Sequence, residues 1–212
     1  MTLLFLDTET SGLPDFKLPP DHPSQPHIVS LAAWLGEWND ETQSVTHTAS
    51  LNSTIKPEGW HIEPEAQRIH GITEDYALAF GEELPIVLNR FLTLCTHASK
   101  DAPPGASLLI AHNTQFDHRM ILRDCAFAEI DFTPVGYLRP FCTMRALTPR
   151  MKLPHKPGGR TGNYKWPKLD EAYGFMFSGA TVPGERANRH DAMEDLLACK
   201  DIFEEGKRRE WW

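Results

Sequence analysis

The first ten residues, MTLLFLDTET, contain an apolar run that leads directly into two acidic residues. Residues 2–7 are typical of a buried β-strand, in which successive side chains point to opposite faces. Asp7 and Glu9 are two positions apart, so we expect their carboxylates to lie on one face, where like charges repel each other. A shared proton or a bound cation would relieve the repulsion. Alternatively, both side chains lie at a strand end in water, where the repulsion is screened.

Apolar periodicity and turn residues divide the rest of the chain into strands and helices. Strands are predicted at 27–38, 44–57 and 107–113, and helices at 64–77, 83–98, 114–129, 169–177 and 188–209. A turn at Gly71 should interrupt the first of these helices, with Thr73 capping its second part. The proline-rich residues 14–26 are predicted as a loop. This order indicates an α/β fold with a mixed sheet and one domain across residues 1–212.

Composition limits the classes of function. The net charge of −8 argues against a protein covered with positive charge for general nucleic-acid binding. A local basic patch or bound divalent cations could still attract nucleic acid. The four cysteines are scattered without a C-x-x-C pattern, which indicates neither a zinc site nor a disulfide framework. No segment has the apolar length of a membrane span or the pattern of a signal peptide, so we expect a cytoplasmic protein without a membrane partner.

Two further segments place acidic residues where they could join Asp7 and Glu9. Asp117 lies in the first turns of a predicted helix, where acids are also common because of the helix dipole. Asp195 falls on the apolar stripe of the last helix, where an unpaired carboxylate would be costly. Four converging carboxylates would suit Mg²⁺ or Mn²⁺. Histidine is the side chain best suited to accept a proton near neutral pH, so His190 is the candidate to take one from an attacking water.

Three segments, FLDTETSGL, AHNTQFD and HDAMED, occur in the order of the three motifs of the DEDDh (DnaQ-like) 3′–5′ exonucleases, and the chain resembles that family. The segment EAQRIHGIT (65–73) is similar to a further stretch of the family between the first and second motifs. The resemblance extends from Asp7 to Asp195. It implies a ribonuclease-H-like fold, with a mixed five-stranded sheet flanked by helices, and a single exonuclease domain.

The resemblance also implies a role for each matching residue. Asp7, Glu9, Asp117 and Asp195 would hold two divalent cations, and His190 would act as general base in hydrolysis of the terminal phosphodiester. The product would be a nucleoside 5′-monophosphate. The residues expected to contact the terminal nucleotide are Thr8, Thr10, Leu13, Glu65, His70, Asn113 and Phe116. His70 could instead serve only to complete the end of a helix.

The segment 132–169 contains no acidic residue, in contrast to the acidic chain around it. Its cations are Arg139, Arg145, Arg150, Lys152, Lys156, Arg160, Lys165 and Lys168. Tyr164 and Trp166 lie among them, and cations interspersed with aromatic rings are typical of single-strand binding sites. We therefore expect Lys165 and Trp166 to contact substrate. Alternatively, the segment is a solvated loop with Trp166 packed on the core.

The sequence leaves the substrate and the pathway open. Because little sequence follows the 188–209 helix, we favour a stand-alone exonuclease that degrades single-stranded DNA from its 3′ end. An RNA-trimming exoribonuclease and a polymerase-associated proofreading subunit are alternatives, and a protein partner is possible. A non-catalytic module that binds ends is disfavoured because all five catalytic residue types are present. Trp211 and Trp212 either cap the core or dock a partner.

Overall fold

The computed structural model describes residues 1–100, 102–103, 105–155, 164–178 and 190–212. One mixed sheet contains five strands in the order β3-β2-β1-β4-β5. The strands are Thr2–Thr10 (β1), Ile28–Asn39 (β2), Ser44–Thr54 (β3), Leu108–Ala111 (β4) and Arg139–Cys142 (β5). β1 is antiparallel to β2 and parallel to β4, so the strand that carries the first two acids is central. This sheet confirms the predicted α/β class.

Eight helices flank the sheet within the described ranges. They are Pro64–His70 (α1), Glu74–Phe80 (α2), Leu84–Ser99 (α3), Thr114–Phe127 (α4), Thr133–Gly136 (α5), Thr143–Met151 (α6), Leu169–Phe177 (α7) and Ala192–Arg208 (α8). α1 ends at Gly71, whose φ is +75°, and Thr73 caps α2 by accepting a hydrogen bond from the N–H of Tyr76. The predicted interruption is thus confirmed. None of these helices is long and apolar enough to cross a membrane.

The side chains of β1 alternate between the two faces of the sheet. Leu4 packs with residues of α3 and α4 on one face, and Phe5 packs with residues of α8 on the other. The same alternation places Thr8 on the α4 side and Asp7 and Glu9 on the α8 side. The end of β1 therefore presents two carboxylates to one helix layer and a hydroxyl to the other.

β1 is longer than its parallel neighbour. Pairing with β4 covers only Leu3–Phe5 of β1, whereas pairing with β2 continues to Thr10. Residues 7–10 of β1 therefore extend past the end of the β4 pairing. This overhang leaves room for a cavity beside the two acids, bordered by the turn between β4 and α4.

The proline-rich loop 14–26 is held by buried polar contacts. Gln25 is buried, and its side chain bonds both the N–H and the carbonyl of Asp15 and the carbonyl of Pro19. Arg119 of α4 donates a further hydrogen bond to the carbonyl of Asp15. The loop is therefore anchored to α4 as well as to its own chain.

Trp212 packs on the core beside α8 and β5. Its Nε1 donates to the carbonyl of Phe203 at 3.1 Å, and its ring lies 5.5 Å from that of Phe141. A Cβ atom at Gly206 would come within 1.7 Å of the indole, so a glycine is required beneath it. Trp211 packs against the neighbouring cluster formed by α6, α7 and α8. Of the two sequence interpretations, these contacts favour a cap on the core.

Candidate active site

A cavity of about 370 Å³ opens at the end of β1. Its walls come from β1, α1, the start of α4 and the turn that leads into α8. The five residues expected to be catalytic all line it, namely Asp7, Glu9, Asp117, His190 and Asp195. Elements that are far apart in sequence therefore bring these residues into one cavity.

Among the described residues, Glu9, His190 and Asp195 form a group that could hold a metal ion. One ligand atom of each lies within 4.8 Å of the others. Asp195 is buried in the first turn of α8, which begins where Asp191 accepts a hydrogen bond from the N–H of Met193. His190 precedes this cap, is exposed and has a φ of +63°. The turn into α8 thus places an imidazole beside two carboxylates.

Asp117 enters the cavity from α4 and is hydrogen-bonded to β1. The hydroxyl of Thr8 donates to its Oδ1 at 2.9 Å, and both side chains are buried. Burial raises the pKa of Asp117 to about 7, and the hydrogen bond from Thr8 opposes this rise. Asn113, the N-cap residue of α4, has a φ of +83°, which turns the chain sharply between β4 and α4.

The carboxylates of the cavity are crowded. The pKa of Glu9 is raised to about 8, mainly by burial and then by the charges of Asp195, Asp117 and Asp191. A divalent cation would remove this repulsion, because an opposite charge favours the ionised form. Clustered carboxylate oxygens suit hard cations such as Mg²⁺ and Mn²⁺. The residues present therefore fit such a cation.

The rest of the cavity wall contains the residues expected to contact the terminal nucleotide. Thr8, Thr10, Leu13, Glu65, His70, Asn113 and Phe116 all line it. Leu13 is 88% exposed and Phe116 is partly buried, so the cavity offers apolar as well as polar surface. The cavity also has wall residues that sequence reasoning missed, namely Gly12, Glu63, Ala66, Ile69 and His112. His112 could have been predicted as a wall residue, because it precedes Asn113 in the AHNTQFD segment.

His70 both ends α1 and lines the cavity. Its Nδ1 accepts a hydrogen bond of 3.1 Å from the N–H of Ile72, so the neutral ring carries its proton on Nε2. Nε2 is buried beside Thr10 and has no hydrogen-bond partner of normal geometry among the described residues. Burial lowers the pKa of His70, with a smaller contribution in the same direction from His190. Burial therefore favours the neutral ring, whose Nε2 faces Thr10 and is shielded from the cavity.

The basic segment is described only in part, since Lys156 and Arg160 lie outside the described residues. Trp166 is 55% exposed rather than packed in the core. Lys165 forms an ion pair with Glu171, which compensates its charge. Neither Lys165 nor Trp166 lines the cavity, so the structure does not bring these two residues together with the other expected substrate contacts.

Comparison with known proteins identifies one sequence family and a set of structures with a similar fold. The exonuclease family model RNase_T matches residues 4–203. No curated protein matches the sequence significantly. E. coli exonuclease I in its zinc-bound complex with single-stranded DNA has a TM-score of 0.69 and 22% identity, over 99% of this chain and 41% of that chain. Its complex with a dT13 oligonucleotide gives a TM-score of 0.68, with the same identity and coverage.

These structural matches concern only part of the matched proteins. The chain spans only 41% of the length of the matched exonuclease I chain. At 22% identity the likeness shows a shared fold, in agreement with the expected ribonuclease-H-like sheet.

Proposed function

The chain belongs to the exonuclease family, and we propose that it acts as a DEDDh-type 3′–5′ exonuclease that releases nucleoside 5′-monophosphates. The convergence of Glu9, His190 and Asp195 within 4.8 Å, in one cavity with Asp7 and Asp117, is the observation that carries this proposal. Single-stranded DNA is the favoured substrate, because the exonuclease I structures with a similar fold include complexes with single-stranded DNA. Residues 1–212 would act as one exonuclease domain.

Asp7, Glu9, Asp117 and Asp195 would hold two divalent cations, with Mg²⁺ favoured and Mn²⁺ as the alternative. Bound cations of this kind supply Lewis acidity toward the attacking water and the phosphate oxygens. The raised pKa values of Glu9 and Asp117 mean that cation binding must displace protons from these carboxyl groups. Cation affinity should therefore increase with pH.

His190 would accept the proton of the attacking water. The imidazole lies beside Glu9 and Asp195 at the exposed edge of the cavity. An imidazole at this position can accept a proton from a water in the cavity and pass it to solvent. The start of α8 orients it, because Asp191 caps the helix immediately after His190.

The remaining wall would orient one terminal nucleotide. Leu13 and Phe116 provide apolar surface for base and sugar, and Thr10 provides a polar group beside them. A volume of about 370 Å³ is at the lower end of the range for ligand pockets. It suits a single nucleotide better than an internal stretch of strand, which supports cleavage from an end.

Labelled oligonucleotides test the proposal directly. Single-stranded DNA, duplex DNA and RNA, each labelled at the 3′ or the 5′ end, are incubated with the protein in Mg²⁺ and in EDTA. We expect mononucleotides to be released from the 3′ end in Mg²⁺ alone. Asp195→Asn should be inactive, whereas Glu194→Gln, at the exposed preceding position, should remain active.

The outcomes separate the parts of the proposal. Faster degradation of RNA than of DNA would change the substrate and leave the reaction in place. Internal cleavage, or no cleavage by a folded protein in Mg²⁺ or Mn²⁺, would overturn the proposed activity.

A further inference from the structure

His112 attaches residues 164–168 to the edge of the cavity. Its ring lines the cavity, with Nε2 3.0 Å from the carbonyl oxygen of Pro167 and Nδ1 2.9 Å from Oγ1 of Thr143. A carbonyl oxygen only accepts, so Nε2 carries a proton and donates to Pro167. The imidazole therefore joins the end of β4, the start of α6 and the segment 164–168.

Trp166, the neighbour of Pro167, presents an exposed aromatic ring beside a cation. The guanidinium of Arg145 lies 6.0 Å from the centre of the indole. Arg145 also donates a 2.9 Å hydrogen bond to Oε1 of Gln115, in the first turn of α4. The next residues of that turn, Phe116 and Asp117, line the cavity. The first turn of α4 thus contacts Arg145 through Gln115 and lines the cavity with Phe116 and Asp117.

A groove of about 540 Å³ continues from Arg145 on the other side of α4. Gln115 and His118 line the groove, whereas Phe116 and Asp117 line the cavity. The groove also contains apolar surface from Phe141. Cavity and groove therefore flank the same turn, and the Trp166–Arg145 pair lies at this boundary.

We propose that Trp166 and Arg145 form a binding subsite for nucleotides upstream of the cleaved bond, and that His112 holds this subsite at the edge of the cavity. The inference rests on the proposed function and adds a substrate contact outside the cavity. Upstream phosphates meet a protein of net charge −8 and need positive charge away from the carboxylates. Arg145 supplies that charge, and the indole supplies a stacking face; single strands are commonly held by this combination without sequence preference.

Oligonucleotide binding by the full chain tests the subsite. Fluorescent single strands of DNA and RNA, about ten nucleotides long as suits one single-strand site, are titrated in Ca²⁺ across a salt series. Trp166→Ala should weaken binding by about 5- to 100-fold, and Trp166→Phe should retain most of it. Arg145→Gln should reduce the slope of log affinity against log salt by about 0.7. Binding of a 5′-mononucleotide, which needs only the cavity, should not change.

Matched controls and a positioning variant complete the test. Phe80→Ala and Arg90→Gln remove an exposed ring and an exposed guanidinium from α2 and α3, and should bind normally. His112→Ala should weaken oligonucleotide binding, and His112→Gln should restore part of it, because the amide can still donate to Pro167. Thermal melting verifies that each variant is folded.

Normal oligonucleotide binding by both Trp166→Ala and Arg145→Gln would overturn the subsite. An equal loss of mononucleotide and oligonucleotide binding would also overturn it, since the effect would then arise in the cavity. If the wild-type protein neither binds nor cleaves nucleic acid, the proposed function itself is refuted. If the wild type cleaves normally and the variants bind normally, only the subsite proposal is refuted.

Discussion

The hydroxyl of Thr8 donates a 2.9 Å hydrogen bond to Oδ1 of Asp117, which joins the central strand to α4 at the buried side of the cavity. Thr8 faces the opposite side of β1 from Asp7 and Glu9. Thr8 therefore contacts the site through Asp117 of α4. Its neighbours Asp7 and Glu9 face α8 instead. This bond also opposes the rise in the pKa of Asp117 that burial causes.

If Asp117 holds a cation as proposed, we expect Thr8→Val to lower activity by about 10- to 100-fold, the usual cost of losing a hydrogen-bond partner of a metal ligand. The isosteric substitution removes the donor, so the pKa of Asp117 rises further and cation binding weakens at neutral pH. Steady-state rates as a function of Mg²⁺ concentration should show the loss as a higher Mg²⁺ requirement. Thr8→Ser keeps the hydroxyl and is the control. A normal Mg²⁺ requirement in Thr8→Val would contradict the role.

The stability of the metal-free protein should fall as pH rises. The pKa values of Glu9, about 8, and Asp117, about 7, lie above those of an unfolded chain. Between the values of an unfolded chain, near pH ~4, and these raised values, the folded state binds more protons than the unfolded chain, so stability falls as pH rises across that window. We expect Mg²⁺ to raise Tm by several degrees near pH ~8 and little near pH ~5, because it binds the ionised carboxylates. Asp195→Asn should lose most of this effect, and an equal Mg²⁺ effect at both pH values would contradict the argument.

His190→Ala should lower kcat by about 10²–10⁴-fold, the range for loss of a general base. KM should change little, because the ring lies at the edge of the cavity beside Glu9 and Asp195. The acid limb of the kcat–pH profile should flatten in the variant. His97→Ala, at an exposed position on α3, is the control. A profile identical to that of the wild type would exclude His190 from proton transfer.

Trp212→Ala should destabilise the protein by about 3 kcal/mol, since it removes a large ring that packs on the core. Gly206→Ala should act in the same direction, because the new Cβ would meet the indole. Trp166→Ala is the matched comparison and should change stability by less than about 0.5 kcal/mol, as expected at an exposed position. Denaturant unfolding measures all three. An unchanged midpoint for Trp212→Ala would mean that the ring does not cap the core.

Sequence periodicity predicted most elements because they bury apolar residues at regular spacing. The region between α4 and α7 was less regular. β5 has only four residues, two of them exposed and one a proline, which suits an edge strand but produces no alternating pattern. α6 contains Pro149, and a proline usually ends or kinks a helix, so the sequence pattern did not predict one there. The final helix begins at Ala192, and the earlier part of the 188–209 prediction falls on the cap and on residues outside those described.

The candidate site was predictable in residue type but not in its supporting contacts. Motif order indicated the five residues that line the cavity, because acids on separate elements had a recognisable spacing. The bonds from His112 to Pro167 and from Arg145 to Gln115 join residues 55 and 30 positions apart. Such pairs depend on how elements pack, and no local pattern in the sequence encodes them.

The unequal pairing along β1 predicts how fast its amide hydrogens exchange with solvent. Residues 3–5 are paired on both sides and residues 7–9 continue the same strand, paired to β2. Amide hydrogens in a stretch paired on both sides exchange with deuterated solvent only when the whole unit unfolds. Asp7 and Glu9 continue directly from this doubly paired stretch but are paired to β2 alone, so their amides should exchange sooner than those of residues 3–5. Leu13 and Trp166 lie outside the sheet. Substitutions around them could therefore change which nucleic acids bind without displacing Asp7 and Glu9.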